Sequence, residues 1–290
     1  EAALRRIAET QSFTRGRPTQ FSFGSDGRLF YLRNHPDDPQ KKLYLLLPNG
    51  QEQHVLSGSE LAQGALTEAE KARRERLRLR GAGIGQFFLL DGGDFVLVPH
   101  AGRLWLHHIK KKRTQELTHS AGSVQGIRLN PNDRRLAFVA GGHVWTCKLD
   151  LNGGWGKATR ALRLSRAAKG APNVQVGVAE CVAQDEMGRR HGTWWADGGR
   201  WLLYQQTDVS RVEELFTADP TYPNKSARKL PYPRAGQANA EVRLFAVKPR
   251  GGSRREIVWN HKRYPYLARV VISDGSPPLL VVQPRDQKKQ

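Results

Sequence analysis

The chain is 290 residues long, is 38% hydrophobic and carries 47 Lys and Arg residues against 27 Asp and Glu residues, which gives a formal net charge of +20. No apolar run approaches the roughly 20 residues that a transmembrane helix needs, and its 2 cysteines are too few for a disulfide framework or a four-ligand zinc site. The positive charge suits a polyanionic partner, but the basic residues are spread along the chain, so we expect no nucleic-acid partner. We also expect no membrane partner, no metal and no cofactor.

The first predicted elements are a short helix and a group of strands. Residues 2–8 are expected to be helical, and the GRP sequence at 16–18 ends this segment. Residues 21–56 then alternate apolar strands with turns, and the first turn is Asp26-Gly27. An Asp-Gly pair between apolar runs is a strong hairpin signal, because a type I′ turn needs positive φ at both central residues. The segment 21–56 therefore predicts a four-stranded meander.

The same order of strands and turns recurs along the chain. It returns at 87–118, 127–165 and 193–218, and a fifth copy starts within 268–290. The turn aspartates of these copies lie 65, 42, 64 and 77 positions apart and are Asp26, Asp91, Asp133, Asp197 and Asp274. Four-stranded repeats with a period of roughly 40 residues are typical of propeller blades. We therefore predict an all-β fold, an incomplete β-propeller of about four to five four-stranded blades with short helical insertions.

Radial stacking of blades also explains how these meanders bury their apolar faces. A single meander cannot cover its own hydrophobic face, whereas stacked blades cover one another and leave only short edges. Strands such as LYLLL at 43–47 and WLLYQQ at 201–206 suit that environment. A β-sandwich is the alternative architecture, but it leaves the recurrence of turn aspartates at one position of each repeat unexplained.

A helical insertion is predicted at 57–80, between the first two blades. Thr67 and Glu70 match a capping box at the start of this helix, and Glu70 and Arg74 form an i,i+4 pair. The helix is strongly basic, so it is either a solvated amphipathic arm or an RNA-binding arm. The lack of interleaved aromatic residues favours the solvated arm, and the KKKR cluster at 110–113 is expected on a solvated hairpin turn.

A second helical insertion, at 167–192, carries two adjacent carboxylates in this basic chain, Asp185 and Glu186. Neighbours on a helix diverge by about 100° around its axis, yet both side chains can still reach one small cation. Two like charges raise each other's pKa unless a cation lies between them, and a protonated α-amino group is such a cation. Pairing with Arg189 or Arg190 is the other interpretation of these carboxylates, and the spacing alone favours it.

The cysteines and histidines indicate no catalytic site. Cys147 and Cys181 are expected to be buried thiols, because a free cysteine behaves as a small hydrophobic residue. The histidines lack the serine context of a nucleophilic site and are expected to be structural or surface residues; those considered are His107, His108, His191 and His261.

Several stretches of the sequence resemble one known family. The string GVAECVAQDEMGRRHGTWWADGGRWLLY at 177–204 resembles the double-glutamate motif of the dipeptidyl peptidase IV family of serine peptidases, in which an acidic pair in a helical insertion precedes a Trp-Trp strand and turn. Further segments that resemble the family are ADPTYPNKSARKLPYPRAGQANAEVRL at 218–244, YPYLARVVISDGSPPLLVVQPRDQ at 264–287 and EKARRER at 70–76. These segments occur in the family's order, and the similarity covers almost the entire chain.

The resemblance implies a fold, a set of partners and a role for the acidic pair. In the family an eight-bladed propeller precedes a catalytic α/β-hydrolase domain, and the acidic pair binds the free N-terminus of the substrate. Carried to this chain, the pair is Asp185 and Glu186, and the implied partners are a peptide with a free N-terminus, the chain's own C-terminal hydrolase domain and a second copy in a homodimer. A substrate ammonium anchored at a fixed distance from the nucleophile places the cut after the second residue of the peptide. At this second residue the family usually prefers Pro or Ala.

The chain departs from the family pattern in two respects. Asp185 stands where the family usually has glutamate, which shortens the reach of this side chain by one C–C bond, about 1.5 Å. No G-x-S-x-G nucleophile elbow occurs in residues 1–290, and the segment 122–126, whose serine lies one place early, is interpreted as a turn. The resemblance therefore implies that the chain holds no catalytic residue, that the catalytic hydrolase domain is absent from it, and that it is inactive alone.

The predicted function is the substrate-recognition propeller portion of a serine-type dipeptidyl peptidase, which removes N-terminal dipeptides. The alternative is a non-catalytic β-propeller that serves as a protein-interaction module. Both agree with a chain that stops within its fifth blade, so we expect it to be a fragment of a longer protein. The sequence encoded beyond Gln290 discriminates between the two.

Overall fold

The computed structural model of the chain describes residues 2–10, 12–61, 83–151, 157–158, 160–165, 173–218, 220–221, 223–224, 226–273 and 275–288. The chain forms two compact units, one of Glu1–Gln125 with Leu149–Thr159 and one of Gly126–Lys148 with Arg160–Gln290. A helix precedes the strands, α1 (Ala2–Glu9), where the sequence predicted one. No helix among the described residues is long and apolar enough to cross a membrane.

The first unit contains two four-stranded antiparallel sheets, each made of strands that follow one another in sequence. The strands of the first sheet are β1 (Thr19–Phe23), β2 (Leu29–His35), β3 (Asp38–Leu46) and β4 (Glu52–Leu56). Those of the second sheet are β5 (Phe88–Leu90), β6 (Phe95–His100), β7 (Arg103–His108) and β8 (Arg113–Glu116). The predicted capping box of Thr67 and Glu70 lies outside the described residues.

One hydrophobic core joins the two sheets of the first unit. The first sheet contributes Phe30 and Leu43 to it, and the second sheet contributes Val96 and Val98. Leu97, which points to the opposite face of β6, is also fully buried. Because both faces of β6 are covered, its sequence is an almost continuous apolar run instead of an alternating one.

The second unit contains a third sheet, a fourth sheet and two separate hairpins. The third sheet consists of β9 (Gln125–Leu129), β10 (Arg135–Ala140) and β11 (His143–Asp150). The strand β13 (Leu162–Arg163) pairs with β11. The short strand β12 (Lys157–Ala158) pairs with the last two residues of β11, Leu149 and Asp150, and these four residues belong to the first unit. The fourth sheet consists of β14 (Val174–Val176), β15 (Thr193–Ala196), β16 (Trp201–Asp208), β19 (Glu241–Val247) and β20 (Arg255–Ile257). The hairpins are β17 (Glu214–Thr217) with β18 (Arg228–Pro231) and β21 (Tyr266–Val271) with β22 (Leu279–Gln283).

The fourth sheet is covered on both faces. Leu202 and Tyr204 of β16 share a core with Val139 of the third sheet, whereas Leu203, on the opposite face of the strand, shares a core with Leu267 of the β21–β22 hairpin. Neighbouring side chains of a strand point to opposite faces, which is why the run at 201–206 is apolar on both. The antiparallel sheets, two of them four-stranded, confirm the predicted all-β fold class.

The observed fourth sheet differs from the predicted fourth blade, 193–218. The first part of that range forms β15 and β16, but Glu214–Thr217 leaves the sheet and pairs with Arg228–Pro231. The position beside β16 is taken by β19, which pairs with it along seven residues. The reason lies in burial, because β19 buries alternate side chains such as Val242, whereas β17 leaves its one aromatic residue, Phe216, largely exposed.

The predicted Asp-Gly turns adopt two different conformations. Asp91-Gly92 has φ values of 49° and 66°, and Asp197-Gly198 has φ values of 53° and 59°. At Asp26-Gly27 only the glycine has a positive φ, 80°, so the predicted type I′ geometry is wrong there. Oδ1 of Asp26 accepts the N–H of Arg28 at 3.3 Å, and such a local side-chain bond stabilises a different turn. Asp274 lies outside the described residues.

Candidate functional site

The acidic pair lies on an excursion of the chain that interrupts the first strand of the fourth sheet. β14 pairs with Gln206–Asp208 of β16, and β15 pairs with Trp201–Tyr204 of the same strand. Between these segments, the N–H of Gly177 donates to the carbonyl of Gln205 at 2.8 Å, and the N–H of Gln205 donates to the carbonyl of Gly192 at 2.8 Å. β14 and β15 are therefore two halves of one strand, and the residues between them leave the sheet and return to it at one point.

Two glycines allow the ends of the excursion to approach each other. Gly177 has a φ of 76°, and a Cβ atom there would lie 2.6 Å from side-chain carbons of Val139 and Val144. A Cβ atom on Gly192 would lie 2.8 Å from the backbone nitrogen and oxygen of Val178. Only glycine fits such close contacts without displacement of its neighbours. The base of the excursion therefore depends on these two residues.

Gly177→Ala is expected to lower the free energy of unfolding of the protein by about 2–3 kcal/mol, because it adds both an unfavourable φ and a steric overlap. Gly188→Ala is the matched control, since Gly188 also has a positive φ, 66°, but a Cβ atom there would meet no other atom within 4 Å. The control is expected to cost about 1 kcal/mol. Urea titrations followed by tryptophan fluorescence measure both values, and equal losses would show that the close approach at Gly177 is unimportant.

A five-residue helix, α2 (Cys181–Asp185), presents the acidic pair. It begins after Glu180 and ends at Glu186, whose N–H donates to the carbonyl of Val182 at 2.9 Å. Ala183 is fully buried, and α2 lies against β21. Glu186 keeps a helical backbone conformation, with φ of −99° and ψ of −37°, so the two carboxylate side chains leave the helix axis in directions about 100° apart.

Both carboxylates of the pair are exposed. Oδ2 of Asp185 accepts the thiol of Cys181, one turn earlier, at 3.3 Å. Neither Asp185 nor Glu186 has a salt-bridge partner among the residues that the structure describes. The alternative interpretation, pairing with Arg189 or Arg190, does not hold in the described structure, because Arg189 is buried against Glu180 and Arg190 is exposed without an ion pair to the two carboxylates.

Arg189 is the centre of a buried polar network next to α2. Its Nη2 lies 3.3 Å from Oε2 of Glu180, and both side chains are only 4% exposed. Its Nη1 donates to Oε1 of Gln205 and to the carbonyl of His191, both at 2.8 Å. Nε and Nη2 donate to the carbonyl of Leu267 at 3.2 and 2.7 Å. Arg189 thus links both ends of the excursion to β16 and to β21.

His191 lies where the excursion returns to the sheet and forms an isolated bridge with Val178. Its ring centroid is 5.3 Å from that of Trp194. Burial, together with the positive charges of Arg128 and Arg189, lowers the pKa of His191 to about 4. The imidazole is therefore neutral near pH 7 and adds no charge beside the buried guanidinium.

The free energy of unfolding is expected to fall as the pH is lowered from about 6.5 to about 4, and His191 contributes to this fall. Its folded pKa lies below the unfolded value of 6.5, so in this window the unfolded chain binds more protons, and the contribution is complete above the window and lost towards its lower end. His191→Gln is expected to reduce the slope, whereas His35→Gln, at an exposed position, should keep it. Urea midpoints across the window provide the measurement, and identical slopes in all proteins would refute the role of His191.

The other candidate residues have structural positions. Cys147 is buried, as predicted, and burial raises the pKa of its thiol to about 11, whereas Cys181 is half-buried instead of buried. The ring of His107 forms a hydrogen bond with Oγ1 of Thr114 at 2.8 Å. Among the described residues, no group of three His, Cys, Asp or Glu side chains could hold a metal ion. The segment 122–126 follows β8 and its last two residues begin β9, so it leads into a strand and not into the helix that follows a nucleophile elbow.

The sequence assigned no role to Glu180 or Gln205, and it indicated Arg189 only as a candidate partner of the acidic pair. In the structure these three residues form the buried network next to α2. No local spacing rule reveals their network, because Arg189 lies 16 positions from Gln205 and 78 positions from Leu267. Charged side chains are also expected at the surface unless they are paired. The available signal was only that Glu180 and Arg189 both lie within the predicted helical insertion, 167–192.

The chain resembles known proteins in sequence. Residues 94–290 match the model of the family described as dipeptidyl peptidase IV (DPP IV) N-terminal region. Dipeptidyl peptidase 8 of Homo sapiens is 25% identical over 269 residues, which cover 74% of this chain and 29% of that protein. Dipeptidyl peptidase 4 of Felis catus is 26% identical over 171 residues, which cover 57% of this chain and 21% of that protein. The chain therefore spans less than a third of the length of these relatives.

The chain also resembles a solved structure. The crystal structure of Porphyromonas gingivalis dipeptidyl peptidase 4 matches with a TM-score of 0.66 and 15% sequence identity, over 97% of this chain and 38% of that chain. At this identity the likeness concerns the fold alone. Together with the four-stranded meanders, it confirms the predicted fold class of an incomplete β-propeller.

Proposed function

This chain belongs to the dipeptidyl peptidase IV N-terminal region family, and on that basis we propose that it is the substrate-recognition portion of a serine-type dipeptidyl peptidase. In this proposal Asp185 and Glu186 bind the α-amino group of a peptide substrate. A hydrolase domain outside the 290 residues supplies the catalytic serine, histidine and aspartate. The whole protein then removes dipeptides from the N-terminus of its substrate.

The exposed acidic pair is the observation that supports this function best. Asp185 and Glu186 are exposed in a chain with a net charge of +20, and Arg189, which could have neutralised them, is paired with Glu180 instead. A protonated amine offers three N–H donors to such a pair, and hydrogen bonds to charged groups contribute about 1.5–3 kcal/mol each. A peptide α-amino group therefore fits the chemistry of this pair.

A fixed amine site would define where the peptide is cut. The helix that carries the carboxylates is held by the buried Ala183 and is flanked by the Glu180–Arg189 ion pair. If the nucleophile lies at a fixed distance from this site, the second peptide bond of the substrate is the one placed for attack. Binding energy gained at the N-terminus then contributes to the reaction at a remote bond.

The two carboxylates are expected to contribute unequally to amine binding. The side chain of Asp185 is shorter than a glutamate by one C–C bond, about 1.5 Å, and its Oδ2 already accepts the thiol of Cys181. Glu186 has the longer reach. We therefore assign the stronger contact with the ammonium to Glu186, with a bridging water as a means for Asp185 to take part.

The sequence encoded beyond Gln290 and the activity of the full-length protein test this function. A G-x-S-x-G elbow followed by an aspartate and a histidine is expected downstream. The full-length protein is expected to release the dipeptide from alanyl-proline 4-nitroanilide and to leave the N-acetyl derivative uncut, because acetylation removes the charge that the pair binds. Absence of the elbow would argue instead for the non-catalytic protein-interaction module, and equal cleavage of both compounds would reject the binding of the substrate amine by the acidic pair.

A further inference from the structure

The buried ion pair next to α2 points to a residue that acts on the amine site from behind. We propose that Arg189, together with Glu180, is a positioning residue that holds Asp185 and Glu186 in the geometry that binds an ammonium, without contacting the substrate itself. This inference rests on the proposed function of the acidic pair.

All the hydrogen-bonding capacity of Arg189 is used inside the protein. A guanidinium has five N–H donors in one plane, and Arg189 makes five hydrogen bonds, which go to Oε2 of Glu180, Oε1 of Gln205 and the carbonyl oxygens of His191 and Leu267. No donor remains for a ligand. The contribution of Arg189 to binding is therefore a contribution to the position of its neighbours.

The acceptors of Arg189 lie at two irregular points of the sheets. The register between β21 and β22 shifts between Leu267 and Arg269, which marks a β-bulge. His191 and Gln205 lie where the first strand of the fourth sheet is interrupted. Backbone carbonyls at such points lack a regular partner in the ladder and need a donor. Arg189 supplies that donor on both sides and so ties the excursion to two neighbouring elements.

The network reaches α2 at both of its ends. Glu180 directly precedes the helix, and the N–H of Arg189 donates to the carbonyl of Ala183 at 2.8 Å. Asp185 and Glu186 lie between these two anchors in the sequence. A helix of five residues has too few internal hydrogen bonds to be stable alone. Its orientation, and with it the direction of the two carboxylates, therefore depends on the anchors.

Arg189→Lys in the full-length protein tests this role. Lysine keeps the charge opposite Glu180 but replaces the planar set of five donors with a single ammonium. KM for alanyl-proline 4-nitroanilide is expected to rise about tenfold while kcat changes by less than about twofold. Inhibition by the dipeptide Ala-Pro is expected to weaken by the same factor, whereas inhibition by N-acetyl-Ala-Pro, which has no ammonium, stays the same. Arg190→Lys, at the exposed neighbour, is the matched control and should keep the wild-type constants.

The decisive readout is the inhibition constant of N-acetyl-Ala-Pro divided by that of Ala-Pro, because loss of folded protein changes neither constant. This ratio is expected to fall when binding of the ammonium weakens. An unchanged ratio in Arg189→Lys, or a fall in kcat alone, would overturn the proposal. If that variant does not fold, Gln205→Met removes one hydrogen bond to Arg189 and one to Glu180 and is expected to reduce the ratio about threefold; an unchanged ratio there overturns the proposal equally.

Glu186→Gln separates this inference from the function on which it rests. If Glu186→Gln leaves the ratio of the inhibition constants unchanged, the acidic pair is not an amine site and both ideas are rejected. If Glu186→Gln abolishes the preference for the free amine while Arg189→Lys and Gln205→Met retain it, the amine site stands and only the positioning role is rejected.

Discussion

Replacing Glu186 with glutamine in the full-length protein is expected to lower kcat/KM for alanyl-proline 4-nitroanilide by about 10- to 100-fold. The substitution keeps the size of the side chain and removes its charge. Under the proposed function it therefore weakens a charge-assisted hydrogen bond to the substrate ammonium. Such a bond contributes about 1.5–3 kcal/mol, and each 1.4 kcal/mol corresponds to about a factor of ten in rate. Steady-state kinetics on the free and N-acetylated substrate measure the effect.

Two further variants show whether the effect is specific to Glu186. Asp185→Asn is expected to cause a smaller loss, less than about tenfold, because Asp185 has the shorter reach and its carboxylate already accepts the thiol of Cys181. Glu9→Gln removes an exposed carboxylate that pairs with Arg5 in α1 and should keep the wild-type kcat/KM. An unchanged kcat/KM in Glu186→Gln would reject the role assigned to this residue.

Arg189→Met is expected to destabilise the fourth sheet around the excursion by about 3–5 kcal/mol. Removal of one member of a buried ion pair leaves the other charge uncompensated. Glu180 would keep only the Nε2 donor of Gln205, at 3.2 Å, because its Oε1 has no hydrogen-bond partner among the described residues. The carbonyl oxygens of His191 and Leu267 would lose donors as well. Amide hydrogen exchange along β16, measured by mass spectrometry, is expected to be at least about 100-fold faster.

The double variant Glu180→Leu/Arg189→Met separates the loss of charge pairing from the loss of packing. It is expected to be less destabilised than Arg189→Met alone, because two apolar side chains leave no charge buried without a partner. Arg190→Met, which removes an exposed arginine, should change exchange along β16 little. Exchange at the wild-type rate in Arg189→Met would show that the buried ion pair is not important for this sheet.

The parts of the fold that follow from neighbouring residues could be predicted. The turns at Asp91-Gly92 and Asp197-Gly198 have the positive φ values that their residue types indicate, and the apolar runs form strands. Which strands pair is a non-local question, and there the prediction differed. Glu214–Thr217 and β19 both have strand character, but only β19 buries its side chains, Val242 and Leu244 among them, in the core around Leu267.

The structural setting of the acidic pair was harder to predict than its place in the sequence. Asp185 and Glu186 stand in a continuous string that resembles a family motif, so they could be proposed as an amine site without a structure, and that role stays a prediction. The interruption of the strand could not be predicted, because β14 has only three residues and no periodicity can be recognised in so short a run. That β14 and β15 belong to one strand is visible only from their shared pairing with β16.

Sequence information alone was therefore enough for the all-β class and the repeated meanders, and enough to propose the acidic pair as a site, because turn chemistry, strand periodicity and adjacency are properties of neighbouring residues. Only the tertiary structure decided which carboxylate forms an ion pair with Arg189. Arg189 pairs with Glu180 because this pair is buried between Gln205 and Leu267, away from water. These two residues lie 16 and 78 positions from the arginine in the sequence. A charge buried in this way needs a partner, whereas a charge at the surface does not, and Asp185 and Glu186 consequently remain exposed beside the buried pair.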